Sequence, residues 1–250
     1  MDLNTFFAEN DKVAVAFSGG VDSSYLLYEA VNSGADVAAY YVKSQFQPDF
    51  EFRDAVKIAG QCGVVLKVIE IDVLADETVR SNPPDRCYFC KNVIMRSILR
   101  EALKGGYEVI IDGTNASDDV NDRPGFRALR ELNIRSPLRE CGITKEEVRQ
   151  LAREAGLHVW NKPAYACLAT RIPHGEKITA EKLAVTEKAE SILYDMGYRD
   201  FRVRMRGENA LIQIPSDQHA RAVSEYEKIK AKLSAMYGRV EIDETARQGQ

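Results

Sequence analysis

The 250-residue chain has no run of apolar residues approaching the roughly 18 that a bilayer span needs. Its start, Met1-Asp-Leu-Asn-Thr, lacks the basic stretch and apolar segment of a secretion signal, so a cytoplasmic location is expected. Positive charge is not in excess either. The 34 Lys and Arg are outnumbered by 38 Asp and Glu, leaving a net charge of -4, and nothing global draws a polyanion. Five cysteines, an odd number, do not make a disulfide framework in a reducing compartment; they read as core residues, metal ligands or reactive thiols. Repeats and low-complexity tracts are absent. What is present is a 45% hydrophobic chain long enough to bury about 70 to 75% of its unfolded surface, which suffices for one large core or a core with a smaller domain.

The apolar pattern predicts alternating strands and helices. Val13 to Phe17 is a short strand ending in Ser18-Gly19-Gly20, and Asp22 opens a helix with Leu26, Leu27, Ala30 and Val31 on one side. Further strands are expected at Val37 to Val42, Leu66 to Ile71 and Val109 to Asp112. A helical stripe of Phe52, Ala55, Val56, Ala59 and Cys62 falls between the first two of these, and a helix starting near Lys91 precedes the last. Such alternation implies right-handed crossovers and a doubly wound, Rossmann-like parallel sheet buried on both faces, an α/β fold. A Thr144-x-x-Glu147 capping box begins another helix, which ends at Gly156. Periodicity vanishes from Leu157 to Gly175, and the remainder predicts a helix through Val185, Ala189, Ile192, Leu193 and Met196. Strands at Phe201 to Arg206, Ala210 to Ile214 and Val240 to Asp243, with a helix from Ser216, complete the chain. The expected division is a nucleotide-binding domain over 1–165 and a small α+β domain over 166–250, for substrate binding or oligomerisation.

Ser18-Gly19-Gly20-Val21-Asp22-Ser23-Ser24 lies between a strand and a helix, where unpaired N–H groups and the helix dipole favour an anion. Glycines let the backbone close on phosphate oxygens, and Ser18, Ser23 and Ser24 add hydroxyl donors. No Gly-Lys-Thr/Ser follows, which excludes a Walker A loop. An ordinary capped turn is the plainer alternative. The motif resembles the PP-loop of the ATP pyrophosphatase superfamily, whose members cleave ATP between its α and β phosphates and adenylate a substrate oxygen. That resemblance implies ATP at the carboxyl ends of the strands and pyrophosphate held by Ser18, Gly19, Gly20, Asp22 and Ser23. A carboxylate beside a triphosphate calls for a cation, so Mg²⁺ is expected. Asp112-Gly113-Thr114-Asn115 leaves the fourth strand at the same edge, followed by Asp118, Asp119 and Asp122, which make either a solvated acidic loop or a metal-binding or substrate-orienting one.

Pro83-Pro84-Asp85-Arg86-Cys87-Tyr88-Phe89-Cys90-Lys91 places a C-x-x-C just before a helix, where the helix N-terminus, Arg86 and Lys91 favour a thiolate. Cys167 lies in the irregular Tyr165-to-Gly175 stretch. Cys62, on an apolar stripe, and Cys141, in Arg-Glu-Cys-Gly, are expected to be bystanders. Three constructions fit Cys87, Cys90 and Cys167: a [4Fe-4S] cluster with one open iron, a Cys3His zinc site with His174, or a reactive Cys167 resolved by the pair.

Taken together, S-G-G-V-D-S-S, P-P-D-R-C-Y-F-C-K, D-G-T-N-A-S-D-D, N-D-R-P-G, R-S-P-L, W-N-K-P-A-Y-A-C-L-A-T-R-I-P-H-G and F-R-V-R-M-R cover nearly the whole chain and resemble the LarE family. The resemblance implies an ATP-dependent sulfurtransferase that converts the carboxylates of pyridinium-3,5-biscarboxylic acid mononucleotide to thiocarboxylates in nickel-pincer cofactor synthesis. In one branch of that family a single Cys, matching Cys167, surrenders its own sulfur. A chain with Cys87 and Cys90 as well resembles the other branch, in which three Cys hold a [4Fe-4S] cluster that delivers sulfide. Catalytic roles are then expected for Asp22, Cys167 and Lys91, the last by neutralising phosphate charge. Gly113 and Ser24 join the ATP site, and Cys87, Cys90 and Cys167 are the metal ligands.

Arg202, Arg204 and Arg206 alternate along one strand, so all three share a face. With Arg171, four residues after Cys167, Arg202 and Arg204 are candidates for the substrate phosphate; pairing with Glu across strands or between subunits is the alternative. The resemblance also implies trimer-based oligomers, up to a hexamer, with ATP, the mononucleotide and a sulfur donor as partners and neither nucleic acid nor membrane. A tRNA-thiolating enzyme, an amide-forming ligase and a non-catalytic nucleotide sensor are the competing readings; the ligase leaves the C-x-x-C without a purpose.

Overall fold

The computed structural model describes residues 2–119 and 124–247. The chain forms two compact units. The first runs up to Val73 and resumes over Asp85–Lys162; the second comprises Leu74–Pro84 and everything from Pro163 onward.

In the first unit α1 (Leu3–Glu9) leads into β1 (Lys12–Ala16), α2 (Val21–Asn32), β2 (Asp36–Lys43), α3 (Asp49–Gln61) and β3 (Leu66–Glu70). The chain passes through α4 (Glu77–Ser81), which belongs to the second unit, and returns as α5 (Arg86–Lys104), β4 (Val109–Asp112), α6 (Pro124–Glu131), α7 (Pro137–Glu140) and α8 (Lys145–Glu154). The four strands are all parallel, in the order β3-β2-β1-β4. Alternate residues explain the layering. Val13, Val15, Ala39, Tyr41 and Ile111 point into a core with α2, α3 and α8, whereas Ala14, Ala38, Tyr40, Val42 and Ile110 meet Met95, Ile98 and Ala102 of α5. Helices on both faces make the doubly wound α/β sheet that the alternation predicted, with the order reversing between β1 and β4. Ligands of such sheets bind beyond the strand ends at that reversal.

Three local expectations change. The α3 stripe is Ala55, Ile58 and Ala59, while Val56 is 46% exposed, because the helix turns its Phe52 edge only partly inward. Strand β3 is the sheet edge, with Lys67, Val68 and Glu70 exposed, not a strand buried on both faces. The C-x-x-C lies inside a helix: α5 starts at Arg86, five residues earlier than the pattern from Lys91 suggests, just after α4 has stopped at left-handed Asn82 and the chain has passed Pro83-Pro84.

The second unit holds α4, a short turn over Leu168–Arg171, α9 (Ala180–Asp195), β5 (Arg202–Arg206), β6 (Asn209–Gln213), α10 (Ser216–Ser224), α11 (Tyr226–Leu233) and β7 (Val240–Ile242). Its three-stranded sheet is mixed, β5 antiparallel to β6 and β7 parallel to it, an α+β arrangement. Segment 74–84 falls within the expected first domain, yet it packs with this unit. Fully buried Asn82 donates from Nδ2 to Pro173 O at 2.7 Å and Ile172 O at 3.3 Å, and its carbonyl accepts from Gly175 N at 2.9 Å. Among the described residues no helix is long and apolar enough to cross a membrane.

Candidate functional site

The loop after β1 turns on Gly19, whose φ of +75° is a left-handed value and whose missing Cβ would lie 2.9 Å from Ala55 Cβ. Gly20 is the N-cap of α2 and its helix start makes no side-chain cap hydrogen bond, so no side chain competes there for the first-turn N–H groups. The hydroxyls organise the loop: Ser18 Oγ and Ser23 Oγ are 3.1 Å apart, Ser18 N donates to Ser23 Oγ at 3.3 Å, and Ser23 Oγ donates to Gly20 O at 3.2 Å. Ser18 is exposed, whereas Ser23 and Ser24 are buried.

The second loop meets the first backbone to backbone. A Cβ on Gly113 would lie 2.7 Å from Ser23 N, so only glycine permits this approach. Buried Asp112 fixes that loop, accepting from Thr114 Oγ1 at 2.8 Å, Thr114 N at 3.3 Å and Ser136 Oγ at 2.7 Å. Asn115 then reaches back, its Nδ2 donating to Asp22 Oδ1 at 3.2 Å. Asp22 Oδ2 is held by Lys145 Nζ at 2.5 Å, and the two side chains are only partly exposed. Asp118 Oδ2 caps Asn115 N at 3.0 Å, Asp119 is exposed, and Asp122 lies outside the described residues. The first unit therefore gathers Ser18, Gly19, Gly20, Asp22, Ser23, Ser24 and Gly113 at the β1/β4 reversal. The one carboxylate in this set, Asp22, already carries a counter-charge from Lys145.

Lys145 falls in none of the sequence motifs that carry the family resemblance. It is the first residue of α8, whose Thr144–Glu147 capping box is formed on both sides. A cation at a helix N-terminus opposes the dipole, and that misplacement is the signal that could have found it.

Cys87 and Cys90 occupy the first turn and a half of α5, three residues apart and so on one side of the helix. Cys87 is exposed, Cys90 half-buried, and the guanidinium of buried Arg86 lies 4.0 Å from Cys87 Sγ. Lys91 is half-buried on the next position. As donors, two thiols at the positive end of a helix fit two ligand positions of an iron–sulfur cluster. Cys167 belongs to the second unit, where it N-caps the Leu168–Arg171 turn and its carbonyl accepts from Thr170 N and Oγ1. Neither unit alone holds all three thiols, and among the described residues no three metal-ligating side chains are already gathered in one group. His174 is exposed. Cys62 and Cys141, expected to be bystanders, are both half-buried against the first core, burial pushing Cys62 up to about 11 and Cys141 in the same direction.

The arginines of β5 share a face but not an environment. Arg202 is buried and donates to Ala164 O at 2.8 Å and Phe201 O at 2.6 Å, beside Asp200; burial, then repulsion from Arg171 and Arg247, lowers it to about 10. Arg204 is half-buried and donates to Thr170 O and Gln213 Oε1, and Arg206 is exposed. Arg171 is 1% exposed and forms a two-pronged ion pair with Glu190, Nε to Oε1 at 2.6 Å and Nη2 to Oε2 at 3.1 Å. Where the sequence offered Arg171 and Arg202 for an anionic substrate, the structure directs these donors to protein acceptors.

Comparison with known proteins agrees with this geometry. Residues 11–110 match the model of the tRNA methyl transferase HUP domain. A protein of Synechocystis sp. is 39% identical over 220 residues, 87% of this chain and 81% of that one. The pyridinium-3,5-bisthiocarboxylic acid mononucleotide synthase of Lactiplantibacillus plantarum is 34% identical over 206 residues, 82% of this chain and 75% of the synthase. A tRNA-specific 2-thiouridylase of Pseudothermotoga lettingae is 29% identical over 202 residues, 66% of this chain and 58% of that enzyme. With a PP-loop cradle at the sheet reversal and one-third identity to the synthase across both units, the chain belongs to the LarE family of ATP-dependent sulfurtransferases.

Proposed function

We propose that the protein adenylates the carboxylates of pyridinium-3,5-biscarboxylic acid mononucleotide and replaces the adenylate with sulfide carried on a [4Fe-4S] cluster. The observation that carries this reading is the 206-residue match to the Lactiplantibacillus plantarum synthase, longer than the first unit can supply and joined here to a Cys87/Cys90 pair.

ATP with Mg²⁺ is assigned to the Ser18–Ser24 loop, where the α2 N–H groups and the Ser18 and Ser23 hydroxyls receive the phosphates. A substrate carboxylate oxygen attacks the α-phosphorus, the bond to the β-phosphate oxygen breaks, and pyrophosphate leaves. Lys91 offsets the phosphate charge in this step. Lys145 keeps Asp22 from repelling the nucleotide. Sulfide then attacks the acyl carbon, AMP departs, and a thiocarboxylate remains; a second round treats the other carboxylate. When bound by Cys87, Cys90 and Cys167, the cluster supplies the sulfide. Arg204 and exposed Arg206, at the solvent end of the β5 row, are assigned to the substrate phosphate, and Arg171 and Arg202 to shaping the Cys167 segment. A trimer-based assembly, up to a hexamer, is part of the proposal.

The test is protein made without oxygen, given ATP, Mg²⁺, sulfide and the pyridinium mononucleotide. The expected result is AMP, pyrophosphate and thiocarboxylate formed in step, with iron and acid-labile sulfide in the protein. No substrate-dependent AMP refutes the adenylation and favours a nucleotide sensor; zinc without labile sulfide refutes the cluster. The similarity to 2-thiouridylases supports a second reading, thiolation of tRNA. It predicts tight tRNA binding that weakens steeply with salt.

A further inference from the structure

We infer that Glu190 is the positioning residue for Cys167, an inference that rests on the sulfur-transfer reading above. Glu190 lies on α9 among Leu183, Thr186 and Leu193, on the side of the helix that packs inward, and is 4% exposed. A carboxylate there is stable only if fully paired. Its partners are unusual in what they connect. Tyr165 OH donates to Oε2 at 2.5 Å from the residue two before Cys167. Arg171, four after it, supplies the two-pronged ion pair. Val203 N of β5 donates to Oε1 at 2.9 Å. One carboxylate thus ties both ends of the Tyr165-to-Arg171 segment to the sheet of its own unit.

The ties continue inside the segment. Arg171 Nη1 donates to Ala166 O at 3.2 Å and to Thr170 Oγ1 at 2.7 Å, and Thr170 Oγ1 in turn donates to Cys167 O at 2.8 Å. Chain order therefore runs from Glu190 through Arg171 and Thr170 to the backbone of the thiol-bearing residue. The Tyr165 ring is close to two buried guanidiniums, 4.9 Å from Arg171 Cζ and 5.3 Å from Arg202 Cζ, so losing the carboxylate would leave two cations beside one ring with less to balance them. Glu190 touches no reacting atom. Its effect is confined to where Cys167 stands when the acyl-adenylate must be captured.

The readout is the number of thiocarboxylates formed per AMP. A general loss of structure lowers both products together, whereas a displaced thiol lets the adenylate form and hydrolyse. In Glu190→Gln the ratio is expected to fall about tenfold or more, as small displacements of a reacting group do, with AMP formation retained, and Glu190→Asp is expected to recover part of it. An unchanged ratio, whether both products persist or fall in step, overturns the inference. Should Glu190→Gln not fold, Tyr165→Phe removes one tie and leaves the ion pair; it must lower the ratio in the same direction. A second measurement needs no substrate. In a Cys62→Ser, Cys87→Ser, Cys90→Ser, Cys141→Ser background, alkylation of Cys167 by iodoacetamide is expected to change several-fold on Glu190→Gln, and an unchanged rate overturns the inference even if the pyridinium compound proves not to be the substrate.

Discussion

Lys145 gives the phosphate loop a built-in counter-charge. Its ammonium, 2.5 Å from Asp22 Oδ2, neutralises the only acidic side chain in the first turn of α2. Lys145→Met leaves that carboxylate with the Asn115 amide alone, next to an incoming triphosphate. One uncompensated charge at this partly buried distance is expected to raise KM for Mg-ATP or lower kcat for AMP formation by about tenfold or more, with little change in Tm. Steady-state AMP release at varied Mg-ATP checks it, and the deficit should shrink at high Mg²⁺, where the metal supplies the missing charge. Gly113 shows the complementary constraint. Its role is steric and electrically silent: any Cβ would enter the backbone of Ser23.

At the scale of elements, the structure explains why two short sequence motifs matter. R-S-P-L contributes a single parallel bridge, Arg135 to Ile111, that extends the sheet beyond β4 and delivers Ser136 to Asp112. The bridge is locked by Arg135 on Glu140, and the guanidinium, with help from Ser136 N, holds the Glu140 carboxyl below its usual range of about 4.5. A depressed carboxyl contributes stability that is complete above the unfolded value and is lost as pH falls through the folded one. The first unit should accordingly lose this increment only below about pH 4.5, and Arg135→Gln should remove it. Urea midpoints at pH 7 and pH 4 check the sign: the difference between wild type and variant is expected at pH 7 and should narrow at pH 4. Element boundaries were legible where a side-chain cap marks them, as at Thr144. The start of α5 was not, because its first turn carries Cys, Tyr and Phe, and tertiary packing rather than propensity commits them to helix.

For the whole molecule, the proposal divides the five cysteines into three ligands and two bystanders. Under the proposed function, Cys87→Ser, Cys90→Ser and Cys167→Ser each lose iron and acid-labile sulfide in protein made without oxygen, whereas Cys62→Ser and Cys141→Ser keep both. Iron retained in any of the first three would break the ligand assignment. Segment 74–84 carries a related point. The chain leaves the first unit after Val73, is stapled by Asn82 to the backbone at Ile172 and Pro173, and returns to start α5 with the thiol pair. No periodicity announces this, since an excursion between units is made of single hydrogen bonds and leaves no repeating apolar signal.

The sequence by itself determined the alternating α/β architecture and the glycine turn between the first strand and the next helix, because each is written in local spacing: strand and helix periods, and glycines at a strand end. Tertiary structure alone decided which charges are available. Arg171 and Arg202 looked like anion ligands in one dimension and are engaged by Glu190 and backbone carbonyls in three, while Lys145 and Glu190, silent in motif terms, became the partners of Asp22 and of the Cys167 segment. Burial is the physical reason. A charge in a low-dielectric interior must find a partner, and that partner can lie anywhere along the chain.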